Sequence, residues 1–424
     1  MERSALPPKL NAQTFEAVAT RQWRCKSQHK LARVLMPLIV CAVLLGGCTQ
    51  VDRDNGAAIE KPDQIVLSWT ENPATTQTVS WHGDTLYQGM AEANGRDYKA
   101  TVTNVRNGEY YRYSAVMTGL LPGTTYGYRV GDGETWSEKH HFTTEKSGDF
   151  RFIFMGDVQY ELMDRDYEKW GELVDLAYKQ NPRTAFVLQG GDMVVNNAAL
   201  DEHGAVMNNG ESLFANVSVM PTPGNHEISV KPYTYLKLFS LPANGPAETV
   251  GEVYSFDYGN CHIVSLNSSL FLTERKEDMG QQEWEAMMKK VDRWIKKDLS
   301  ASDAKWKIVF MHHPAYPIEE NIDVYGQIRN EWVPIFEKDG VDLVLCGHQH
   351  IYMRTKSIDG ITYIMGRSGE KYSRYYTKGD PIPDYVAKLK EVNSYEVVQV
   401  KSGSLSVAAY DSTGKVIDRW IKKQ

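Results

Sequence analysis

From residue 150 onward, short and nearly unbroken apolar runs alternate with stretches that are apolar at every third or fourth position. The runs FRFIFM, TAFVL, VSVM, CHIVSL, WKIVFM and VDLVLC lack the polar alternation of a half-solvated strand, so each reads as a strand buried on both faces. The helical period between them predicts amphipathic helices over 167–179, 281–299 and 328–338. Such a series makes an α/β layered domain over 149–424, its β-sheets flanked by helices. Residues 63–145 are patterned differently. There IVLSW, TVSWH, YYRYSAVMTGL, TYGYRV and HHFTT form short β-branched and aromatic runs between turn residues, with no long helical period. That spacing predicts an all-β sandwich ahead of the α/β domain.

The chain before residue 63 contains neither pattern. Residues 26–33 are basic and 34–47 are uncharged and mostly apolar, too short to span a membrane comfortably but suited to the core of a signal peptide. The run closes on Leu45-Gly46-Gly47-Cys48, which resembles a bacterial lipobox and makes 1–47 a signal peptide and Cys48 the lipidated residue. Alternatives are a plain secretory signal cut nearby or an uncleaved anchor. Residues 48–62 are polar and aperiodic, a tether. The reading places the protein outside the cytoplasm, lipid-anchored at a bacterial cell membrane or outer membrane.

Composition narrows the partners. Hydrophobic residues make 42% and charged residues 24% of the 424, as in a globular protein. The formal net charge is -7; since seven basic and two acidic residues fall in 1–47, the chain from Cys48 carries about -12. An acidic body without a Lys/Arg-rich run offers no footprint for a nucleic acid polymer. Beyond Cys48 the cysteines are Cys261 and Cys346, both in strand-like runs and read as buried free thiols.

Chemistry gathers where the apolar runs stop: Gly156-Asp157-Val158-Gln159, Gly191-Asp192, Gly224-Asn225-His226-Glu227, His312-His313 and Gly347-His348-Gln349-His350. Ligands of α/β folds collect at the carboxyl ends of strands. Carboxylates, a carboxamide and imidazoles without thiolate suit two divalent ions (Fe, Mn or Zn), with more donors present than one ion uses and Asp192 placed to bridge.

The order GD, GD, GNHE, H, GHxH resembles that of calcineurin-like metallophosphoesterases, purple acid phosphatases in particular. The upstream GLLPGTTYGYRVG, residues 119–131, is similar to the fibronectin-III-like domain that precedes them. The resemblance implies a binuclear hydrolase cleaving phosphate esters, acid phosphatase-like, in which a hydroxide made available by the metals attacks phosphorus. It assigns one metal to Asp157, Asp192 and His350 and the other to Asp192, Asn225, His312 and His348. His226 becomes the phosphate-facing catalytic histidine, and Tyr352 and Arg354 structural support. His313 is read as a substrate contact, its alternative being a strand-end cap.

Two positions depart from the pattern. Gln159 stands where many members carry a histidine, and Val195 where the purple enzymes carry a tyrosine. Gln159 either coordinates through its amide oxygen or orients a water; Val195 argues against a purple ferric centre. The substrate is a phosphorylated small molecule, with walls from loops 196–214, 232–252 and 370–390. The last is rich in tyrosine (Tyr372, Tyr375, Tyr376, Tyr385) and carries Lys371 and Arg374. Alternatives are a phosphodiesterase or nucleotidase on the same core, or a surface binding protein with a degenerate metal site.

Overall fold

The computed structural model describes residues 59–160, 167–228, 231, 233–371 and 376–424. The signal segment, Cys48, most of the tether, and Tyr372, Arg374 and Tyr375 lie outside the described residues. Among those residues no helix is long and apolar enough to cross a membrane.

The described strands form four sheets. Two of four strands each make the sandwich. One is ordered Asp63–Ser68, Thr76–Gly83, Tyr110–Thr118, Thr101–Arg106; the other Arg96–Lys99, Met90–Ala93, Thr125–Gly131, His140–Thr143. Their inner faces share one core, including Leu67, Trp81, Tyr113, Tyr128 and Phe142. Strands Arg96–Lys99 and Thr101–Arg106 are mostly exposed, so no apolar run marks them in the sequence. What does mark the hairpin is Asn94-Gly95, both at positive φ (50° and 72°) as a tight turn of that hand requires.

The α/β domain has a six-stranded and a seven-stranded sheet. In the first, Ser218–Pro221, Phe186–Gln189 and Phe150–Met155 run parallel, followed by the antiparallel Ser394–Lys401, Ser404–Asp411 and Val416–Lys423. In the second, Cys261–Leu266, Trp306–Met311, Leu343–Cys346 and Thr362–Met365 are parallel, with Tyr254–Tyr258 on one side and Tyr352–Thr355 and Val386–Lys390 on the other. The unbroken apolar runs follow from two-sided burial. Ile308 and Phe310 join the core shared with Phe152 and Phe154 of the other sheet. Their neighbours Val309 and Met311 pack with Met287, Val291 and Ile295 of the helix Gln281–Ala301.

The helices Glu168–Gln180 and Gln281–Ala301 lie where the periodicity places them. The third differs: 328–338 holds parts of two helices, Val324–Glu331 and Val333–Lys338, meeting at Trp332. Pro334 lies in the first turn of the second, where its missing N–H costs nothing, whereas it would break a continuous helix. Cys261 and Cys346 are free and buried, on strands separated by Trp306–Met311.

The sandwich is docked against the α/β domain rather than strung beside it. Val66, Trp69 and Tyr110 belong to the core of the α/β domain. The Trp69 ring lies 5.7, 5.8 and 5.6 Å from the rings of Phe186, Phe256 and Tyr258. The buried Arg112 donates to the carbonyls of Gln64 (2.7 Å) and Leu238 (2.9 Å), and Gln77 exchanges hydrogen bonds with Ser218.

One polar contact gives the fold a pH dependence. His262 sets Nδ1 2.8 Å from Asp257 Oδ1 and Nε2 2.9 Å from Asp298 Oδ2, joining a strand to the long helix. Both nitrogens donate only in the imidazolium. Burial opposes that charge, but the two carboxylates outweigh it and push the pKa up to about 9. A folded value above the ordinary 6.5 makes this stabilisation complete below about pH 6.5 and lost as pH rises through about 9. With Asp257 largely exposed, roughly 1–3 kcal/mol is expected. His262→Gln should therefore lower the thermal midpoint clearly at about pH 6 and much less above about pH 9. An equal loss at both would exclude the imidazolium.

Candidate metal centre

Five parallel strands, three from one sheet and two from the other, deliver the candidate ligands from their carboxyl ends. Met155 leads to Asp157, Gln189 to Asp192, Pro221 to Asn225 and His226, Met311 to His312, and Cys346 to His348 and His350. Asp157, Asp192, His348 and His350 sit at φ of +44°, +52°, +78° and +49°. For residues other than glycine this left-handed backbone is uncommon and costs about 1–3 kcal/mol each when the surroundings impose it. The bend thus falls on the ligand residues themselves. The adjoining glycines act largely by lacking a side chain. A Cβ on Gly224 would lie 2.1 Å from Asp192 Oδ1, and one on Gly347 2.6 Å from Asp157 Oδ2.

The donor atoms converge in two groups. In the first, His312 Nε2 is 3.1 Å from Asn225 Oδ1, 3.2 Å from His348 Nδ1 and 3.2 Å from Asp192 Oδ2, and Asn225 Oδ1 is 3.1 Å from His348 Nδ1. His312 Nδ1 donates to the Gly190 carbonyl at 2.9 Å, which leaves Nε2 with its lone pair facing inward when the ring is neutral. Four lone-pair atoms aimed at one point repel unless a cation or an extra proton lies among them. Ligands about 2.1 Å from a common ion are roughly 3.0–3.4 Å apart, the spacing found here. Without an ion the proton takes its place: burial opposes it, but Asp192 and Asp157 hold the His312 pKa up at about 9.

The second group is Asp157, Asp192 and His350, all buried, with one ligand atom from each within 4.8 Å of the others. Gln159 closes it. Its amide nitrogen lies 2.8 Å from Asp192 Oδ2 and 3.2 Å from His350 Nε2, while its buried Oε1 has no hydrogen-bond partner. Turning the amide over presents that oxygen to the same two ligands, a gain only if a cation sits between them. Burial pushes the Asp157 carboxyl up to about 7, against the pull of His312. For Asp192 burial acts the same way, yet His312 and His226 outweigh it and its carboxyl lies well below the usual range. Buried carboxylates at the meeting point of so many lone pairs fit two divalent ions.

His226 is at the mouth, its side chain 25% exposed against 2% for Asp192. Its Nδ1 donates to the Val195 carbonyl at 2.7 Å, and its Nε2 faces Lys371 Nζ at 3.3 Å and Asp192 Oδ2 at 3.9 Å. Val195 therefore contributes a backbone acceptor where a phenol is absent. Tyr352 and Arg354 both bond to Asp418 on the last strand, at 2.9 and 2.6 Å, as structural support would.

His313 corrects an expectation. It is fully buried, against the reading of it as a substrate contact. Ser268 Oγ accepts its backbone N–H at 2.8 Å and lies 2.9 Å from its Nδ1, and the ring lies 4.3 Å from that of His348. Burial and the His312 charge hold its pKa well below the ordinary value. Its Nε2 has no hydrogen-bond partner, and a ligand atom of His313 lies within 4.8 Å of those of His312 and His348, so the ring borders the first group from inside the protein rather than from the open mouth.

Sequence reasoning gave no role to Glu227. Its carboxylate accepts four backbone N–H groups: Asp192 and Gly224 at 2.8 Å on Oε2, Met193 at 2.8 Å and Val194 at 3.3 Å on Oε1. It ties the second ligand loop to the third. Burial and the Asp192 charge push its pKa up to about 7, while the N–H groups favour the ionised form. Glu202 does the same one turn on, accepting the N–H groups of Val195 (2.7 Å) and Asn196 (3.1 Å) and the Tyr167 hydroxyl (2.7 Å).

The family described as calcineurin-like phosphoesterase matches residues 150–352, and the purple acid phosphatase N-terminal domain matches 62–144. The chain carries a calcineurin-like phosphoesterase domain. Its two domains follow one another as in purple acid phosphatases, and this phosphoesterase is similar to several phosphatases along most of its length. Acid phosphatase type 7 of Danio rerio is 25% identical over 353 residues, covering 73% of this chain and 72% of that one. Phosphoenolpyruvate phosphatase of Allium cepa is 24% identical over 363 residues, covering 80% and 67%. The purple acid phosphatase from yellow lupin (Lupinus luteus) seeds shares the fold, with a TM-score of 0.68 at 17% identity over 86% of this chain and 74% of that one. The phosphoesterase is a dimetal hydrolase of phosphate esters.

Proposed function

We propose that this phosphoesterase is a phosphomonoesterase acting on a phosphorylated small molecule outside the cytoplasm, anchored through a lipid on Cys48. The observation that carries the chemistry is the convergence of four inward-facing lone-pair atoms from Asp192, Asn225, His312 and His348 at 3.1–3.2 Å. In this reading those residues hold one divalent ion. Asp157, Asp192 and His350 hold the other, with the Gln159 oxygen available as a further ligand. When bound, the ions supply a water-derived nucleophile near neutral or acid pH and offset the charge on phosphate.

The chain's own groups do the rest. With Nδ1–H engaged by the Val195 carbonyl, His226 turns Nε2 toward the substrate and is the nitrogen that delivers a proton to the leaving oxygen. Water oxygen joins phosphorus as the ester P–O bond breaks, yielding an alcohol and phosphate. Support for monoesters comes from the names of the relatives, acid phosphatase and phosphoenolpyruvate phosphatase. Support for the anchor is the small-small-Cys ending of the apolar leader.

One experiment tests the proposal. The native chain and Cys48→Ser are expressed in a bacterium and fractionated. The purified protein is assayed for metal content and for hydrolysis of p-nitrophenyl phosphate and its bis-ester. Expected are native protein in membranes and the variant in the soluble extracytoplasmic fraction, two divalent ions per chain, and preference for the monoester. The protein should be colourless, since Val195 supplies no phenolate. Preference for the bis-ester, or membrane retention of the variant, would overturn the corresponding half.

A further inference from the structure

A sixth parallel strand end also reaches the site. The chain leaving Thr362–Met365 turns over the first ligand loop: Ser368 N–H donates to the Gly156 carbonyl and Gly369 N–H to the Asp157 carbonyl, both at 2.6 Å. A Cβ on Gly369 would lie 2.4 Å from the Val158 oxygen, so only a bare backbone fits this closely. Arg367 fastens the same turn by donating to the Gly369 carbonyl at 3.0 Å, and Glu370 is held by Lys169 at 2.8 Å. The next residue is Lys371. It is half-buried, with Nζ 3.3 Å from His226 Nε2 at the mouth of the metal centre.

From this placement we infer that Lys371 is a phosphate-binding residue that selects monoesters over diesters. The inference deepens the phosphomonoesterase reading and rests on it. A monoester phosphate near neutral pH carries close to two negative charges, since its second pKa is about 6, whereas a diester carries one and no more. The ions can offset charge on any phosphate. A fixed ammonium beside the proton-delivering histidine adds most to the species with the extra charge, in a half-buried mouth where opposite charges attract more than in water. Its anchoring to the Asp157 loop sets its distance from the phosphate position. Arginine can keep the charge there, whereas methionine keeps the stem and removes the charge.

The full-length holoenzyme is compared with Lys371→Met and Lys371→Arg. Three readouts are taken: kcat/KM on p-nitrophenyl phosphate and its bis-ester, metal content, and affinity for inorganic phosphate by calorimetry. Lys371→Met should lose about 30- to 300-fold on the monoester and at least tenfold less on the diester. Phosphate should bind at least tenfold more weakly, with both ions retained. Lys371→Arg should keep the monoester-to-diester ratio within about threefold of the native value. An unchanged ratio in Lys371→Met, or loss of metal from it, would overturn the inference and leave the lysine a support of the loop. If the native holoenzyme cleaved neither ester, the phosphomonoesterase reading would fall instead. The phosphate affinities would still decide whether Lys371 binds phosphate.

Discussion

Replacing Asp192 by asparagine should strip metal from the protein and lower turnover on p-nitrophenyl phosphate by on the order of a thousandfold or more. Asp192 reaches into both donor groups. Oδ1 accepts the His226 backbone N–H at 3.0 Å, and Oδ2 lies 2.8 Å from the Gln159 amide nitrogen and 3.2 Å from His312 Nε2. An asparagine that keeps the first contact turns its NH2 toward the Gln159 amide and the inward face of His312. That places a donor where both ion sites need an acceptor. The charge lost is also the one that offsets the burial of His312. Metal analysis of the purified variant and its thermal midpoint with and without added metal check this. A ligand that binds only the folded state stabilises it, so the metal-dependent rise in midpoint should shrink with occupancy. Two retained ions and near-native activity would remove Asp192 from the bridging position.

Glu227→Ala should be the most destabilising single change in the site, by about 3–5 kcal/mol. The carboxylate is fully buried and is the acceptor for four backbone N–H groups from two loops. An unpaired buried donor costs about 1–3 kcal/mol, so even partial rescue by water leaves a large loss. Glu227→Gln separates shape from charge. Its one oxygen can serve two of the four donors, while its NH2 faces the other two. The glutamine variant should fold, lose metal affinity by roughly 10- to 100-fold through displacement of Asp192, and unfold at a lower urea concentration than the native chain. A glutamine variant of native stability and metal affinity would show that the loops hold themselves.

Sequence and structure agree where the chemistry is local. A ligand at the end of a buried strand is written as an apolar run, a glycine and a polar residue, all within a few positions, and Asp157, Asp192, Asn225, His312, His348 and His350 could be read that way. Glu227 could not, although it follows His226 directly: three of its four partners are backbone N–H groups 33 to 35 residues away in the chain, and backbone leaves no trace in residue identity. Lys371 was hidden for a related reason. Its strand end carries no ligand motif, so in the sequence the lysine stands out only as part of a tyrosine-rich loop. His313 is harder to read, since in sequence a buried and an exposed imidazole beside a ligand look alike; its ring is fully buried against that of His348. The strands between 90 and 106, with Ser404–Asp411 and Val416–Lys423, are half-exposed or lie at an edge and so leave only a weak alternation in the sequence.

Trp69 gives the seam between the two domains a meaning for the making of the protein. The residue is encoded in the first strand region of the sandwich, but its ring is seated among Phe186, Phe256 and Tyr258. An N-terminal segment emerging first therefore cannot finish its own burial; it waits exposed until nearly 200 further residues have followed. The same seating means that the boundary visible in the sequence is not a place to cut. A fragment starting at 149 would open an aromatic socket to water, and a sandwich ending at 145 would carry the plug without the socket.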